Sequence, residues 1–235
     1  NWRAHGCTPE QCSALERPDT RAWTTTRRWL EQDNHHLLPC TDPVFPPALL
    51  EAPNPPLALF VAGDPSLAWR PSVALVGSRS PTPGGRALAA RFAGCFVEAG
   101  LAVTSGLAAG IDAAAHQATL EAGGCTVAVI GTGPDRAYPD SHARLQARIA
   151  AEGVVLSEYL PGTAARPGHF PARNRLVAGL ALATVVVEAA QRSGALITAR
   201  LAAEAGREVC ALPGSVLNPR AAGCHRLIRE GAALV

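Results

Sequence analysis

The chain has 235 residues, 48% of them hydrophobic and 17% charged. That composition can bury a sizeable core, which excludes disorder over most of the length and points to one main domain with a smaller piece. The formal net charge of +2 divides unevenly: residues 1–70 carry six Arg against eight acids, and residues 71–235 carry fifteen Arg against eleven. No apolar run approaches membrane-spanning length, and the first residues lack a basic-then-apolar leader. With no methionine, position 1 included, the chain is expected to be part of a longer product. Lys is absent and all 21 Lys-or-Arg positions are Arg. A coding bias accounts for that count, so only the placement of particular Arg residues bears on function.

Cysteines stand at 7, 12, 40, 95, 125, 210 and 224. An odd number at scattered spacing argues against a disulfide framework and for reduced thiols in the cytoplasm. Cys7, Cys12, His35, His36 and Cys40 form the tightest group but fit no common zinc spacing; small buried thiols are the simpler account. No metal is expected.

All four Trp (Trp2, Trp23, Trp29, Trp69) lie in the first 70 residues. Residues 9–38 read as short helices. Pro43, Pro46, Pro47, Pro53, Pro55 and Pro56 then interrupt regular structure, so 40–58 reads as a proline-rich connector lying against the next domain. Residues 57–62 read as an edge strand closed by Gly63 and Asp64. From Ser72 the pattern changes. Strands are expected at 72–76, 101–104, 126–130, 154–156, 184–187 and 208–212. Helices are expected at 84–98, 111–122, 141–151, 174–182, 196–205 and 223–230. Strands apolar on both faces, alternating with helices, predict an α/β, doubly wound, Rossmann-like and mostly parallel sheet.

In such sheets ligands sit at the carboxyl ends of the strands. The first strand is followed by Gly77, Ser78 and Arg79, the second by Ser105 and Gly106, and the third by Gly131, Thr132 and Gly133. Ser157 and Glu158 follow the fourth, Glu188 with Ser193 and Gly194 the fifth, and Pro213 with Gly214 the sixth. Small residues make tight turns, but six such turns on one rim with Arg79 among them also form sites for phosphate. The first turn lacks G-x-G-x-x-G, and a chain without Lys has no P-loop, so no nucleotide cofactor is expected. Asp112 and His116 lie four apart on one helix; a helix-start carboxylate and an internally bonded His is the commoner arrangement than a catalytic pair. Glu188 suits the acceptance of backbone donors better than acid–base work. Phe170, Arg173, Asn174 and Arg175 cluster at a helix start. There Arg forks suit phosphate and Phe an unpaired base, or else the two Arg pair with Glu158 and Glu188.

These motifs together resemble the DNA-processing protein A (DprA/Smf) family. The matching stretches are Val76 to Arg79, Thr104 to Ala108 with Gly110 to Asp112, Tyr138-Pro139, Leu156 to Glu158, Phe170-Pro171 with Arg173 to Arg175, Val187 to Ala189, Ser193-Gly194 and Leu212 to Gly214. The match runs from about Asp42 to the end. The resemblance implies a non-enzymatic, cytoplasmic protein that binds single-stranded DNA during natural transformation, protects it and helps load the recombinase RecA, working as a homodimer. It implies a DNA pocket made by Gly77, Ser78, Arg79, Ser105, Gly106, Phe170, Arg173, Asn174, Arg175, Ser193 and Gly194, with no cofactor. It also implies that 1–40 is the remnant of a helical domain, 41–71 a connector and 72–235 the DNA-binding Rossmann-like domain; members of the family are sometimes continued by a winged-helix domain. Ala109, His169 and Ser141 depart from the family pattern, where Arg, Asn and a basic residue are usual. The competing class is a nucleotide N-glycosidase of the lysine-decarboxylase-like group, whose Pro-Gly-Gly-x-Gly-Thr motif is only loosely echoed at 193–198.

Overall fold

The computed structural model describes residues 6, 8–16 and 19–235. Trp2 and Cys7 lie outside the described residues. The described chain builds one nine-stranded sheet flanked by helices on both faces. The helices α1 (Pro9–Glu16) and α2 (Thr20–Leu30) come first, followed by β1 (His35–Pro39), α3 (Pro47–Leu50) and β2 (Ala58–Gly63). The repeating part is β3 (Ser72–Val76), α4 (Pro83–Glu98), β4 (Ala102–Ser105), α5 (Ile111–Glu121), β5 (Thr126–Val129), α6 (Ala143–Glu152), β6 (Val154–Ser157), α7 (His169–Leu180), β7 (Ala183–Val186), α8 (Gly194–Glu204), β8 (Glu208–Ala211), α9 (Ala222–Arg229) and β9 (Ala233–Leu234).

The strand order is β1-β2-β6-β5-β4-β3-β7-β8-β9. The pairs from β6 through β9 are parallel, while β1–β2 and β2–β6 are antiparallel. The chain steps one way from β3 to β6, then returns to the other side of β3 for β7. The switch point therefore lies between β3 and β7, where a doubly wound sheet opens a crevice at its strand ends.

Alternation within the buried strands supplies both faces. In β3, Val73 and Leu75 pack with Ala89 and Ala93 of α4 and Ala115 of α5, whereas Ala74 and Val76 pack toward Leu176 and Val177 of α7 and Ala199 of α8. Beyond β5, Trp29 of α2, Ile149 of α6 and Phe60 of β2 share a third cluster. A fully buried Leu such as Leu75 makes a Leu→Ala change there cost about 2–5 kcal/mol.

Several sequence expectations need correction. Residues 35–38 are not helical: they form β1, which pairs with β2 from His35↔Ala62 to Pro39↔Ala58. As a result, β2 is not an edge strand; it lies between β1 and β6. The expected divisions at 40 and 71 do not coincide with the sheet, which begins at His35. The proline-rich stretch does pack against the rest, burying Phe45 and Leu49, and it includes the short helix α3. The helix expected at 174–182 starts five residues earlier, at His169, so Phe170 and Arg173 sit inside its first turns. No helix among the described residues is long and apolar enough to cross a membrane.

Candidate nucleic-acid interface

The turn after β3 is fixed from below. Ser78 N–H donates to Glu188 O at 2.6 Å, and Ile111 N–H donates to Ser78 O at 3.1 Å. Gly110, at φ +88°, lets α5 begin directly under this turn: a Cβ there would overlap Ser78 O and lie 2.7 Å from Pro81 Cδ. That conformation and that space leave room for glycine alone. Glu188 ties β7 to the start of α4. Its carboxylate is 5% exposed and accepts the Thr82 hydroxyl at 2.8 Å and the Thr82 N–H at 3.2 Å, while Thr82 Oγ1 caps α4 by accepting Gly85 N–H. So Glu188 is occupied as an acceptor. Arg79 projects from the turn into solvent, with its guanidinium carbon 5.8 Å from the centre of the Phe170 ring. No acidic side chain among the described residues pairs with it, and Glu158 is taken by Arg175.

Beneath lies a buried polar floor. Arg173, 4% exposed, donates through Nη1 to Gly106 O at 2.5 Å and to Val129 O, and through Nε to Asn174 Oδ1 at 3.2 Å. Gly106 makes room for it, since a Cβ there would lie 2.6 Å from the guanidinium. Asp112 accepts the Gly106 and Ala108 N–H groups at 3.1 and 3.4 Å. Burial pushes the Asp112 carboxyl up, against the opposing pull of the Arg173 charge. Burial likewise brings Arg173 down to about 10, with Asp112 resisting, so Arg173 stays charged at neutral pH. One turn along α5, His116 is fully buried, with Nδ1 2.7 Å from Thr126 Oγ1 and no partner at Nε2. Burial first, then the Arg173 and His142 charges, lower it to about 3. Asp112 and His116 thus have separate partners, as in the internally bonded arrangement.

Above this floor, at the switch point, opens a cleft of about 590 Å3. It brings together nine of the eleven expected residues: Gly77, Ser78, Arg79, Gly106, Phe170, Arg173, Asn174, Ser193 and Gly194. Arg173 closes it from below rather than standing free. The other two expected residues are elsewhere. Ser105 is fully buried and its hydroxyl donates to Leu75 O at 2.6 Å, so it braces two strands. Arg175 forks onto Glu158 at 2.5 and 2.6 Å and donates to Asn54 O at 2.9 Å, the pairing that the sequence left as its alternative. Arg192 and Ser80 join the cleft unforeseen; the only signal for Arg192 was its place just before Ser193 and Gly194.

The cleft offers two exposed cations, Arg79 and Arg192, small residues that bring backbone close, and the start of α8, capped by Ser193. The positive end of a helix beside Arg forks suits anionic oxygens. A larger groove, about 710 Å3, runs between α8, β8 and α9. It lies off the switch point, and the Arg226 and Glu230 on its wall are already paired, so the smaller cleft is the candidate site.

Comparison with known proteins places the chain in a family. The model of the DNA recombination-mediator protein A family matches residues 36–235. The chain belongs to that family. Protein Smf of Escherichia coli is 44% identical over 208 residues, which cover 88% of this chain and 56% of that relative. The X-ray structure of DprA from Streptococcus pneumoniae superposes with a TM-score of 0.84 at 44% identity, covering 89% of this chain and 73% of that one. DNA processing protein A from Helicobacter pylori, solved for its single-stranded DNA binding mode, superposes with a TM-score of 0.77 at 30% identity, covering 85% and 90%. The chain spans about half the length of the E. coli protein and of a second Smf relative from Synechocystis, at 56% and 52%. The family match begins within β1, consistent with a sheet that includes β1 and β2.

Proposed function

We propose that this chain binds single-stranded DNA along the switch-point cleft, without turnover, and does so in natural transformation. The observation that carries this is Arg79: an exposed cation, free of any ion pair among the described residues, at the mouth of a cleft lined by small residues. Charge of that kind at a helix start suits a sugar–phosphate backbone. Binding is assigned to Gly77, Ser78, Arg79, Gly106, Phe170, Asn174, Ser193 and Gly194, together with Arg192, on the 72–235 unit braced by β1 and β2. Glu188 and Asp112 are taken up as acceptors, and His116 is fully buried with Nδ1 against Thr126, which supports a binder over an N-glycosidase. Protection of the strand, help in loading RecA, a homodimeric state and a cytoplasmic location complete the proposal, and these rest on the family resemblance.

The test is a titration with labelled oligo-dT and with the matching duplex, followed by an assay for released free base. Preferential binding of the single strand with no turnover is expected, weakening with salt at a log–log slope near −0.7 per phosphate neutralised. Base release from nucleoside monophosphates, or equal affinity for the duplex, overturns it. RecA filament formation on the same strand, with and without the protein, tests the partner.

A further inference from the structure

Phe170 is the aromatic that the motif singles out, but its ring is largely enclosed before any ligand arrives. Gly131 lies so close that a Cβ there would stand 3.0 Å from Phe170 Cδ1. The Arg79 guanidinium hangs 5.8 Å from the ring centre, and the Tyr138 ring lies 4.9 Å away at a tilt of 36°. Phe170 is half-buried, whereas Tyr138 is 47% exposed. Of the two paired rings, the open one is therefore Tyr138, which reaches the cleft through its contact with Phe170.

Tyr138 is also held firmly for an exposed ring. Its loop is tied by the Thr132 hydroxyl to Arg136 O at 2.6 Å, by Gly133 N–H to Thr163 O at 2.9 Å, by Gly162 N–H to Asp135 Oδ1 at 2.7 Å and by Gln146 Nε2 to Pro134 O at 2.9 Å. Tyr has only two side-chain torsions to fix, so a ring presented this way gives contact area at low entropic cost. Its hydroxyl has no hydrogen-bond partner among the described residues, so no internal polar role accounts for its placement.

We propose that Tyr138, backed by Phe170, is the base-stacking platform of the cleft: an unpaired nucleobase lies on the Tyr138 ring while the adjoining phosphate meets Arg79. This rests on the single-strand reading above and adds to it a residue that contacts the base instead of the backbone. Every nucleobase has a π-face, so the platform tolerates any sequence, and it requires a base that is not already stacked in a duplex.

The experiment compares the parent with Tyr138→Ala on oligo-dT and on an oligonucleotide of equal length made of abasic sugar–phosphate. Tyr138→Ala should lower affinity for oligo-dT about 5- to 100-fold and leave affinity for the abasic strand at the parent value, with an unchanged melting temperature. Tyr138→Phe, which keeps the ring, should recover oligo-dT binding. Parent-like oligo-dT binding by Tyr138→Ala, or an equal loss on both strands, overturns the platform while leaving the single-strand reading intact. A parent that fails to bind oligo-dT overturns both.

Discussion

The mouth and the floor of the cleft are built from the same residue type and do opposite things with it. At the mouth, Arg79 and Arg192 are exposed and pair with no carboxylate among the described residues. On the floor, Arg173 is 4% exposed, and its Nη1 and Nε donors go to Gly106 O, Val129 O and the Asn174 side chain. A buried guanidinium that satisfies carbonyls is part of the fold; an exposed one with no partner is available to a ligand. Arg79 and Arg173 both lie in stretches that resemble the family's motifs, so motif membership alone does not tell a ligand from a brace.

The strongest way to break this contrast is to remove the floor. Arg173→Ala leaves two carbonyls without their donor and Asp112 buried beside no cation, so it should cost about 3–5 kcal/mol of stability. For a domain of this size that is a fall in melting temperature of roughly 6–20 °C, measured by thermal or denaturant unfolding. A variant with parent-like stability and lost DNA binding would move Arg173 from the floor to the ligand set.

Arg79→Ala is the matching change at the mouth. It should weaken oligo-dT binding by about 1–3 kcal/mol, as when a charged hydrogen-bond partner is removed, with the melting temperature unmoved because Arg79 braces nothing by an ion pair. A destabilised protein that binds oligo-dT like the parent reverses the assignment.

The floor should also respond to acid. His116 is fully buried and lowered to about 3, so it is neutral when folded and takes up a proton on unfolding below about pH 6.5. The unfolded state then binds more protons, and stability rises with pH. The His116 contribution is fully present above about 6.5 and is lost as pH falls toward 3. Between pH 7 and pH 5 the loss should be about 2 kcal/mol. His116→Gln should flatten that part of a stability–pH curve; an unchanged slope would place the acid sensitivity elsewhere.

The contrast was only half legible in the sequence. Strands β3 to β8 stood out because they are mostly apolar, and β3 to β6 run into Gly or Ser, which is also why the cleft and its small residues are legible. β1 could not be read this way. His35-His36-Leu37-Leu38-Pro39 is too short and mixed to declare a strand, and its pairing partners lie about twenty or more residues on, in β2, from Ala62 for His35 to Ala58 for Pro39. α7 starts before the expected 174 and takes Pro171 into its first turn, where a proline is tolerated. The burial of Arg173 was not legible at all. It depends on carbonyls at Gly106 and Val129, 67 and 44 residues away, and on the missing Cβ of Gly106. Tyr138 was visible only as part of a motif, since its exposure and its approach to Phe170 arise from a loop folding against the start of α7.

Arg175 gives the smallest expected effect and the finest test of the rule. It stands two residues from Arg173 in the same motif, yet its side chain turns to Glu158 in a two-pronged pair at 2.5 and 2.6 Å and to Asn54 O. Both partners are about one-fifth exposed, at 21% and 22%, so the pair is screened in part and contributes modestly, on the order of 1 kcal/mol. The bond to Asn54 O anchors the proline-rich stretch to α7, so the loss should appear as a small drop in stability with slightly easier opening of residues 40–58. Arg175→Ala should therefore lower the unfolding midpoint by a few degrees at most and change oligo-dT affinity less than twofold. Glu158→Gln should produce the same small loss, and the double variant should show that the two losses are not additive, as for residues in direct contact. A tenfold loss of DNA affinity in Arg175→Ala, with stability retained, would mean that the ion pair opens to let Arg175 reach the phosphates. Pairing in the free protein would then no longer separate braces from ligands.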